Sequence, residues 1–130
     1  MLATWLYVST SLLGSDADAE IVGIRHAAER RNPELGLTGV LIFSGHHFAQ
    51  FLEGPHHGLD VMKTSIFGDA RHAAVLTLQT DPAAGRRYGD WALAYSDWAT
   101  AIDKVLLEAA RDHNPRDLLS YMDQFVEKLH

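Results

Sequence analysis

Apolar residues occur along this chain in short runs of strand type and in stretches of helical spacing. Runs rich in β-branched and aromatic residues, which favour strands, occupy 2–10, 40–43, 48–52, 72–80 and 91–95. Apolar residues three or four positions apart predict helices at 19–31 and between Pro55 and Gly68. The order β-α-β-β-α-β with one additional strand predicts an α+β fold, the ferredoxin-like sandwich with two helices on one face of a mostly antiparallel sheet.

Two further helices are predicted at the C-terminal end, one from near Thr100 and one from Asn114-Pro115, a cap residue followed by proline. Four apolar residues recur at 4-3-4 spacing on the last helix: Leu118, Met122, Phe125 and Leu129. Because two core helices leave the other face of the sheet bare, we expect this stripe to cover that face and to help form a homodimer or higher homo-oligomer. Residues 1–98 would form the core and 99–130 a helical extension packed on it, one domain overall.

Composition narrows the classes of function. A chain of 130 residues fits one domain, and its net charge of −6 is a poor match for nucleic acid or an anionic membrane surface. The absence of cysteine excludes disulfides and thiolate chemistry. The N-terminus lacks the features of a signal peptide, and no apolar run is long enough to span a membrane. These features predict a soluble, cytoplasmic protein.

One polar residue interrupts the central predicted hairpin, whose strands flank the sequence Ser-Gly-His-His. Strand alternation places Phe48, Gln50 and Leu52 on one face, with Ala49 and Phe51 on the other. An unpaired amide inside an apolar strand costs roughly 1–3 kcal/mol. We therefore expect a polar side chain or a ligand to lie across from Gln50.

The chain resembles the BLUF domains, bacterial blue-light sensors that use FAD, over roughly Trp5 to Trp98. The resemblance rests on six motifs in order: Tyr7 in Leu-Tyr-Val-Ser, Asn32 in Asn-Pro, Leu-Thr-Gly-Val-Leu-Ile-Phe-Ser, Phe48-Ala-Gln50-Phe-Leu-Glu-Gly-Pro, Asp69-Ala-Arg-His72, and Asp90-Trp91. It implies a flavin ring between the two core helices, with non-covalently bound FAD as cofactor. The residues implied in flavin binding are Ile24, Arg31, Asn32, Phe48, Gln50, Ile66, Asp69 and His72.

The resemblance also implies a photochemical mechanism, in which Tyr7, Gln50 and Trp91 take part. Tyr7 would give the excited flavin an electron and a proton, which then return, and the Gln50 amide would end in a rearranged hydrogen-bonding position. The flavin spectrum would shift slightly to the red and relax in the dark. We expect the strand of Tyr7 to be central and parallel to the strand of Gln50. Such a receptor is not an enzyme, and its output would act on an unknown downstream protein in trans.

Two departures from the family pattern accompany this resemblance. Ser65 stands where many members carry an arginine that helps to hold the flavin ring, and Leu93 where many carry methionine. Ser65 predicts weaker flavin binding and favours an alternative function, a light-inactive scaffold of the same fold. A third reading, an acylphosphatase-type hydrolase, requires an anion-binding loop, but no glycine-rich loop lies between Thr10 and Asp18.

Two histidine pairs and one arginine pair are not interpreted as functional sites. The pairs His46-His47 and His56-His57 predict no metal site, because adjacent strand residues point to opposite faces. The pair Arg86-Arg87 is interpreted as a solvated loop.

Overall fold

The structure is a computed structural model in which residues 2–14, 17–94 and 99–128 are described, residues 99–103 by their backbone alone. Within these residues the chain forms six strands and four helices. In chain order they are β1 (Leu2–Ser11), α1 (Ala17–Leu35), β2 (Thr38–Phe43), β3 (His47–Pro55), α2 (His56–Phe67), β4 (His72–Gln79), β5 (Pro82–Ala83), β6 (Trp91–Ala94), α3 (Ala99–Asp112) and α4 (Arg116–Lys128). The predicted α+β, ferredoxin-like order is confirmed. Three predicted positions, Tyr95, Trp98 and Leu129, lie outside the described residues.

The sheet has the order β4-β1-β3-β2-β6, with the short β5 paired to the start of β1. β3 runs antiparallel to both β1 and β2, and β6 runs parallel to β2. The prediction that the strand of Tyr7 is parallel to that of Gln50 is therefore wrong. The crossover through α1 makes β1 and β2 parallel, and the hairpin returns β3 between them in the opposite direction.

The end of α1 differs from its prediction. The sequence predicts that Asn32-Pro33 ends this helix, but the helix runs on to Leu35, with Pro33 inside it. The N–H of Gly36 donates to the carbonyl of Pro33 at 3.1 Å, and the N–H of Leu37 donates to that of Asn32 at 2.8 Å. With Gly36 at φ 71°, this pair of bonds is a Schellman closure. It satisfies carbonyls of the final turn and fixes Asn32 there.

Side chains of β3 alternate between two packed faces, as predicted. Phe48, Gln50 and Leu52 face α1 and α2, whereas Ala49 and Phe51 belong to a core shared with the C-terminal helices. The residues that α3 and α4 bury in that core are Leu106, Ala109, Leu118, Leu119, Met122 and Phe125. Leu118, Met122 and Phe125 of the predicted stripe are buried inside the chain, so these three residues do not form the exposed dimer surface expected of them.

A buried carboxylate fastens the loop before β6 to the sheet. Glu53 of β3 is only 1% exposed, and it accepts hydrogen bonds from the N–H of Arg87 at 2.6 Å, the N–H of Tyr88 at 2.7 Å and the hydroxyl of Thr38 at 3.1 Å. Three donors compensate the removal of this carboxylate from water. The loop is therefore held in one position against β3.

The same loop is also fastened to α4. Arg86 and Arg87 are exposed, as a solvated loop pair should be, but each also forms hydrogen bonds to a distant part of the chain. Arg87 donates to both carboxylate oxygens of Asp123, at 2.9 and 2.6 Å, and the Tyr88 hydroxyl donates to the first of them at 2.8 Å. Arg86 donates to the carbonyl of Gly36 at 2.7 Å and to the Thr38 hydroxyl at 2.8 Å. We call the contacts among Glu53, Arg87, Tyr88 and Asp123 the clasp.

Candidate functional site

A pocket opens between α1, α2 and the face of the sheet that carries Gln50. Its empty volume of about 700 Å³ includes space open to solvent at its mouth. Every site residue predicted from the sequence lines it: Tyr7, Ile24, Arg31, Asn32, Phe48, Gln50, Ile66, Asp69, His72 and Trp91. The fold thus brings together residues from six different elements and from the segment between α2 and β4.

Three of these side chains form a hydrogen-bonded row across the sheet. Tyr7 and Gln50 are direct partners in the β1–β3 ladder. The Gln50 Nε2 donates to the Tyr7 hydroxyl oxygen at 2.8 Å, and the Trp91 Nε1 donates to the Gln50 Oε1 at 3.2 Å. The buried amide that the sequence left without a partner therefore uses both its donor and its acceptor.

Tyr7 is held as a neutral phenol. Burial raises the pKa of Tyr7 far above its usual value, against the lowering effect of the Gln50 hydrogen bond. Because Tyr7 accepts from Gln50, its own proton is directed elsewhere. The indole of Trp5 packs against the phenol with ring centroids 4.5 Å apart. Oxidation of Tyr7 at neutral pH would therefore have to release a proton from a fixed ring.

His72 forms the wall beside Tyr7. Its Nε2 lies 2.6 Å from the carbonyl oxygen of Ile66, and its Nδ1 lies 2.7 Å from the hydroxyl of Ser9. A carbonyl only accepts, so Nε2 carries a proton. The imidazole stands edge-on to Tyr7 and Phe48, with centroids 6.2 and 6.0 Å apart. Two hydrogen bonds thus fix one ring orientation.

Asn32 brings an unsatisfied acceptor into the pocket. The residue is 2% exposed, and its Oδ1 is buried without a hydrogen-bond partner among the described residues. Such a group costs about 1–3 kcal/mol unless a ligand satisfies it. The polar edge of a flavin ring presents an N–H between two carbonyls, which an asparagine amide matches in donor and acceptor. The residues present therefore fit a flavin.

Charged residues lie at the mouth of the pocket. Arg71 donates its Nε to Asp69 Oδ1 at 2.9 Å and its Nη2 to Asp69 Oδ2 at 2.5 Å. The Arg71 hydrogen bonds hold the pKa of Asp69 below its usual range. Arg31 reaches from α1 to α2, where its Nη1 donates to the Ser65 hydroxyl at 3.0 Å.

Five residues that line the pocket were not assigned to the site from the sequence: Ala27, Ala28, Leu41, Met62 and Arg71. Arg71 lies inside the motif Asp69-Ala-Arg-His72, so its position in that motif could have identified it as a site residue. Ala27 leaves room beside α1, and small size at an exposed helical position gives no signal by itself.

Two absences hold for the described part of the chain. Its helices include none long and apolar enough to cross a membrane. Its histidine, aspartate and glutamate side chains form no group of three or more that could hold a metal ion.

Known proteins match this chain along most of its length. The BLUF family model, described as sensors of blue-light using FAD, matches residues 2–94. The blue light- and temperature-regulated antirepressor BluF of Escherichia coli (strain K12) is 36% identical over 128 residues, which are 98% of this chain and 32% of that protein. Photoactivated adenylate cyclase subunit alpha of Euglena gracilis is 33% identical over 112 residues, 82% of this chain and 11% of that protein. The chain thus spans about a third or less of the length of these two relatives.

Solved structures share the fold. The dark-state structure of BlrB, a BLUF protein, superposes with a TM-score of 0.82 at 29% identity, covering 98% of this chain and 96% of that one. A bacterial light-regulated adenylyl cyclase superposes with a TM-score of 0.70 at 26% identity, covering 93% of this chain and 36% of that one. The similarity to BlrB includes the region of the C-terminal helices.

Proposed function

The chain belongs to the BLUF family of blue-light sensors that use FAD, and from this premise we propose that it is a blue-light photoreceptor that binds FAD non-covalently. The observation that carries the proposal is the row of hydrogen bonds from Trp91 through Gln50 to Tyr7 on the wall of the pocket. A tyrosine is an electron and proton donor, and an amide can exchange its donor and acceptor ends. Together they form a switch with two hydrogen-bonding arrangements.

Several residues would hold the cofactor. Asn32 would bind the polar edge of the flavin ring, which satisfies its unpaired Oδ1. Ile24 on α1 and Ile66 on α2 would contact the two faces of the ring, while Phe48 and His72 close the pocket beside it. No cysteine is present to form a covalent link. Bound flavin supplies visible absorption and, when excited by blue light, an acceptor for one electron and one proton.

Tyr7 is the donor in this proposal. Because burial raises the pKa of Tyr7, the phenol is neutral before illumination, and loss of its electron would be coupled to loss of its proton. The proton is directed away from Gln50, since the Gln50 amide occupies the phenol oxygen as a donor. Both particles return to Tyr7 when the cycle closes, so the net chemistry is zero.

Gln50 is the residue whose hydrogen-bonding arrangement would change after illumination. In the present arrangement its Nε2 faces Tyr7 and its Oε1 faces Trp91. The alternative arrangement would form when the proton returns to the Tyr7 oxygen and points toward the amide, which would turn so that its Oε1 accepts from Tyr7. With FAD bound, an amide turned in this way would present its Nε2 as a donor to the flavin, which would account for a small red shift.

The output proposed for this receptor is contact with a separate downstream protein rather than catalysis. The relatives named above are an antirepressor and a cyclase subunit. Coupling of light sensing to an effector is the only feature that we carry over from them to this chain. A homodimer remains part of the proposal, through a surface other than the buried stripe of α4.

A light-inactive scaffold is the second candidate, and Ser65 is the observation that favours it. One experiment separates the two candidates: an absorption spectrum of the purified protein, followed by a light-minus-dark difference spectrum. A photoreceptor is yellow and shows a reversible red shift. Protein that stays colourless after incubation with FAD contradicts the proposal, and yellow protein without a shift supports the scaffold.

A further inference from the structure

Arg31 and Asn32 are neighbours on α1 but occupy different depths of the pocket. Asn32 is buried, with its free Oδ1 inside, whereas Arg31 is exposed at the mouth. The Arg31 Nη1 donates to the Ser65 hydroxyl on the opposite helix at 3.0 Å. The guanidinium is therefore held across the mouth by a neutral partner that consumes one of its five N–H donors.

The charges around the mouth single out this arginine. Arg71, the other cation of the pocket lining, donates to both carboxylate oxygens of Asp69 and is neutralised there. Among the described residues no carboxylate forms an ion pair with Arg31. In a chain of net charge −6 an anionic ligand is repelled unless a local cation offsets the field. Arg31 is positioned to supply that cation.

We infer that Arg31 recognises the phosphate of the flavin cofactor and makes the pocket selective for phosphorylated flavins over riboflavin. The inference rests on the proposed function and specifies the part of the ligand that this residue binds. A guanidinium matches phosphate oxygens with two parallel N–H groups, and charge-assisted bonds of this kind are about twice as strong as neutral ones. The ring enters to Asn32, and the phosphate stays at the mouth with Arg31.

The experiment measures the binding of riboflavin, FMN and FAD to cofactor-free protein in the dark, from the quenching of flavin fluorescence. The wild-type protein should bind FMN and FAD about tenfold more tightly than riboflavin, the order that one charge-assisted hydrogen bond supplies. Raising the salt concentration should reduce this preference, because the mouth is exposed to solvent.

The test variant is Arg31→Gln, and its matched control is Arg30→Gln, the exposed neighbour that lies outside the pocket lining. Arg31→Gln should lose the preference for FMN and FAD while its affinity for riboflavin stays unchanged. Arg30→Gln should keep the preference. Thermal unfolding of both variants without flavin checks that the pocket is intact.

Three results would overturn the inference. Equal affinity of the wild-type protein for all three flavins shows that the phosphate is not recognised. An equal loss for riboflavin and FAD in Arg31→Gln shows that the guanidinium binds the ring. A loss of preference in Arg30→Gln as large as in Arg31→Gln shows a general charge effect. If none of the three flavins binds, the proposed function fails first and the inference fails with it.

Discussion

Tyr7 and Gln50 stand directly opposite each other on two antiparallel strands, and the amide of Gln50 donates to the phenol oxygen at 2.8 Å. Directly opposed side chains in such a ladder project from the same face of the sheet. Both side chains are buried, so their polar groups hydrogen-bond to each other in place of water. The pair can therefore be dissected by substitutions that keep volume and remove one polar group at a time.

Replacing Tyr7 by phenylalanine removes the hydroxyl and keeps the ring. The free energy of unfolding should fall by about 1 kcal/mol, because one buried hydrogen bond is lost. Flavin should still bind, since Asn32 and the helix faces are unchanged, but the light-induced red shift should vanish. Light-minus-dark spectra of Tyr7→Phe and of the control Tyr88→Phe, a buried tyrosine of the clasp, test this. A normal, reversible shift in Tyr7→Phe excludes Tyr7 as the donor.

Replacing Gln50 by leucine keeps the size of the side chain and removes the amide. The shift should disappear, because nothing remains to rearrange, and the indole N–H of Trp91 loses its acceptor. The same spectra are measured on Gln50→Leu and on Gln124→Leu, a control on the exposed side of α4. A red shift of ordinary size in Gln50→Leu would show that the amide is not the switching group.

Replacing Glu53 by glutamine tests the base of the clasp. The substitution places an amide N–H₂ where a carboxylate oxygen accepts from the backbone of Arg87 or Tyr88. Donor then faces donor in a buried site, and we expect a loss of about 2 kcal/mol in the free energy of unfolding. Urea unfolding of Glu53→Gln is compared with Glu127→Gln, an exposed position of α4 that should change stability by less than about 0.5 kcal/mol. Equal stability of both variants contradicts the structural role given to Glu53.

The contribution of Asp123, the clasp residue on α4, to the free energy of unfolding should depend on pH. Partial burial by itself raises the pKa of Asp123, but the hydrogen bonds from Arg87 and Tyr88 outweigh it and hold the pKa below its usual value. A carboxylate with a lowered folded pKa contributes stability above its unfolded pKa, and this contribution is lost as the pH falls through the folded value. Since Asp123 is partly exposed, the effect should be only about 0.5 kcal/mol.

The measurement for this effect is the free energy of unfolding of the wild-type protein and of Asp123→Asn between about pH 7 and pH 3. The difference between the two should be largest near neutrality and shrink as the solution becomes acidic. Asp60→Asn, an exposed carboxylate on α2, serves as the control and should show a smaller difference. A difference for Asp123→Asn that grows with acidity reverses the predicted sign.

Removing residues 114–130 tests the covering role of α4. The deletion exposes the apolar face of the sheet that Leu118, Met122 and Phe125 cover, so solubility should fall and aggregates should appear. Light scattering and size-exclusion chromatography measure this. Within the full chain, Met122→Ala should cost about 2–5 kcal/mol, whereas the exposed Gln124→Ala should be nearly neutral. A truncated chain as monodisperse as the full one contradicts the covering role.

Structural features that depend on residues close together in the sequence were predictable. The alternation around Gln50 and the glycine and proline residues that bound the hairpin identify β2 and β3 and the two faces of β3, because strand periodicity is a property of neighbouring residues. The gathering of the predicted site residues around one pocket was implied by the resemblance to the BLUF family. The end of α1 was missed because the Schellman closure depends on Gly36 and Leu37, which outweigh Pro33.

Features that depend on distant partners could not be predicted. Arg87 and Tyr88 have a loop composition, and their partner Asp123 lies 36 and 35 positions away. Glu53 appears in a motif, but its role as an acceptor for the loop emerges only when the sheet is assembled. The Arg31–Ser65 bond spans 34 positions and shows that the serine, read from the sequence as a loss, holds a cation from the other helix.

The alternation of β3 also determines how a change at the pocket can reach the C-terminal helices. Gln50 faces the pocket, while its neighbours Ala49 and Phe51 face the core of α3 and α4, so the two sets of side chains lie on opposite sides of a single layer of main chain. A rearranged amide can therefore act on the far side through its partners Tyr7 on β1 and Trp91 on β6, or by displacing peptide groups of β3. Those groups are bonded to β1 on one side and β2 on the other. The sheet itself is then the mechanical link, and its stiffness sets how much of a movement at Gln50 arrives at α4.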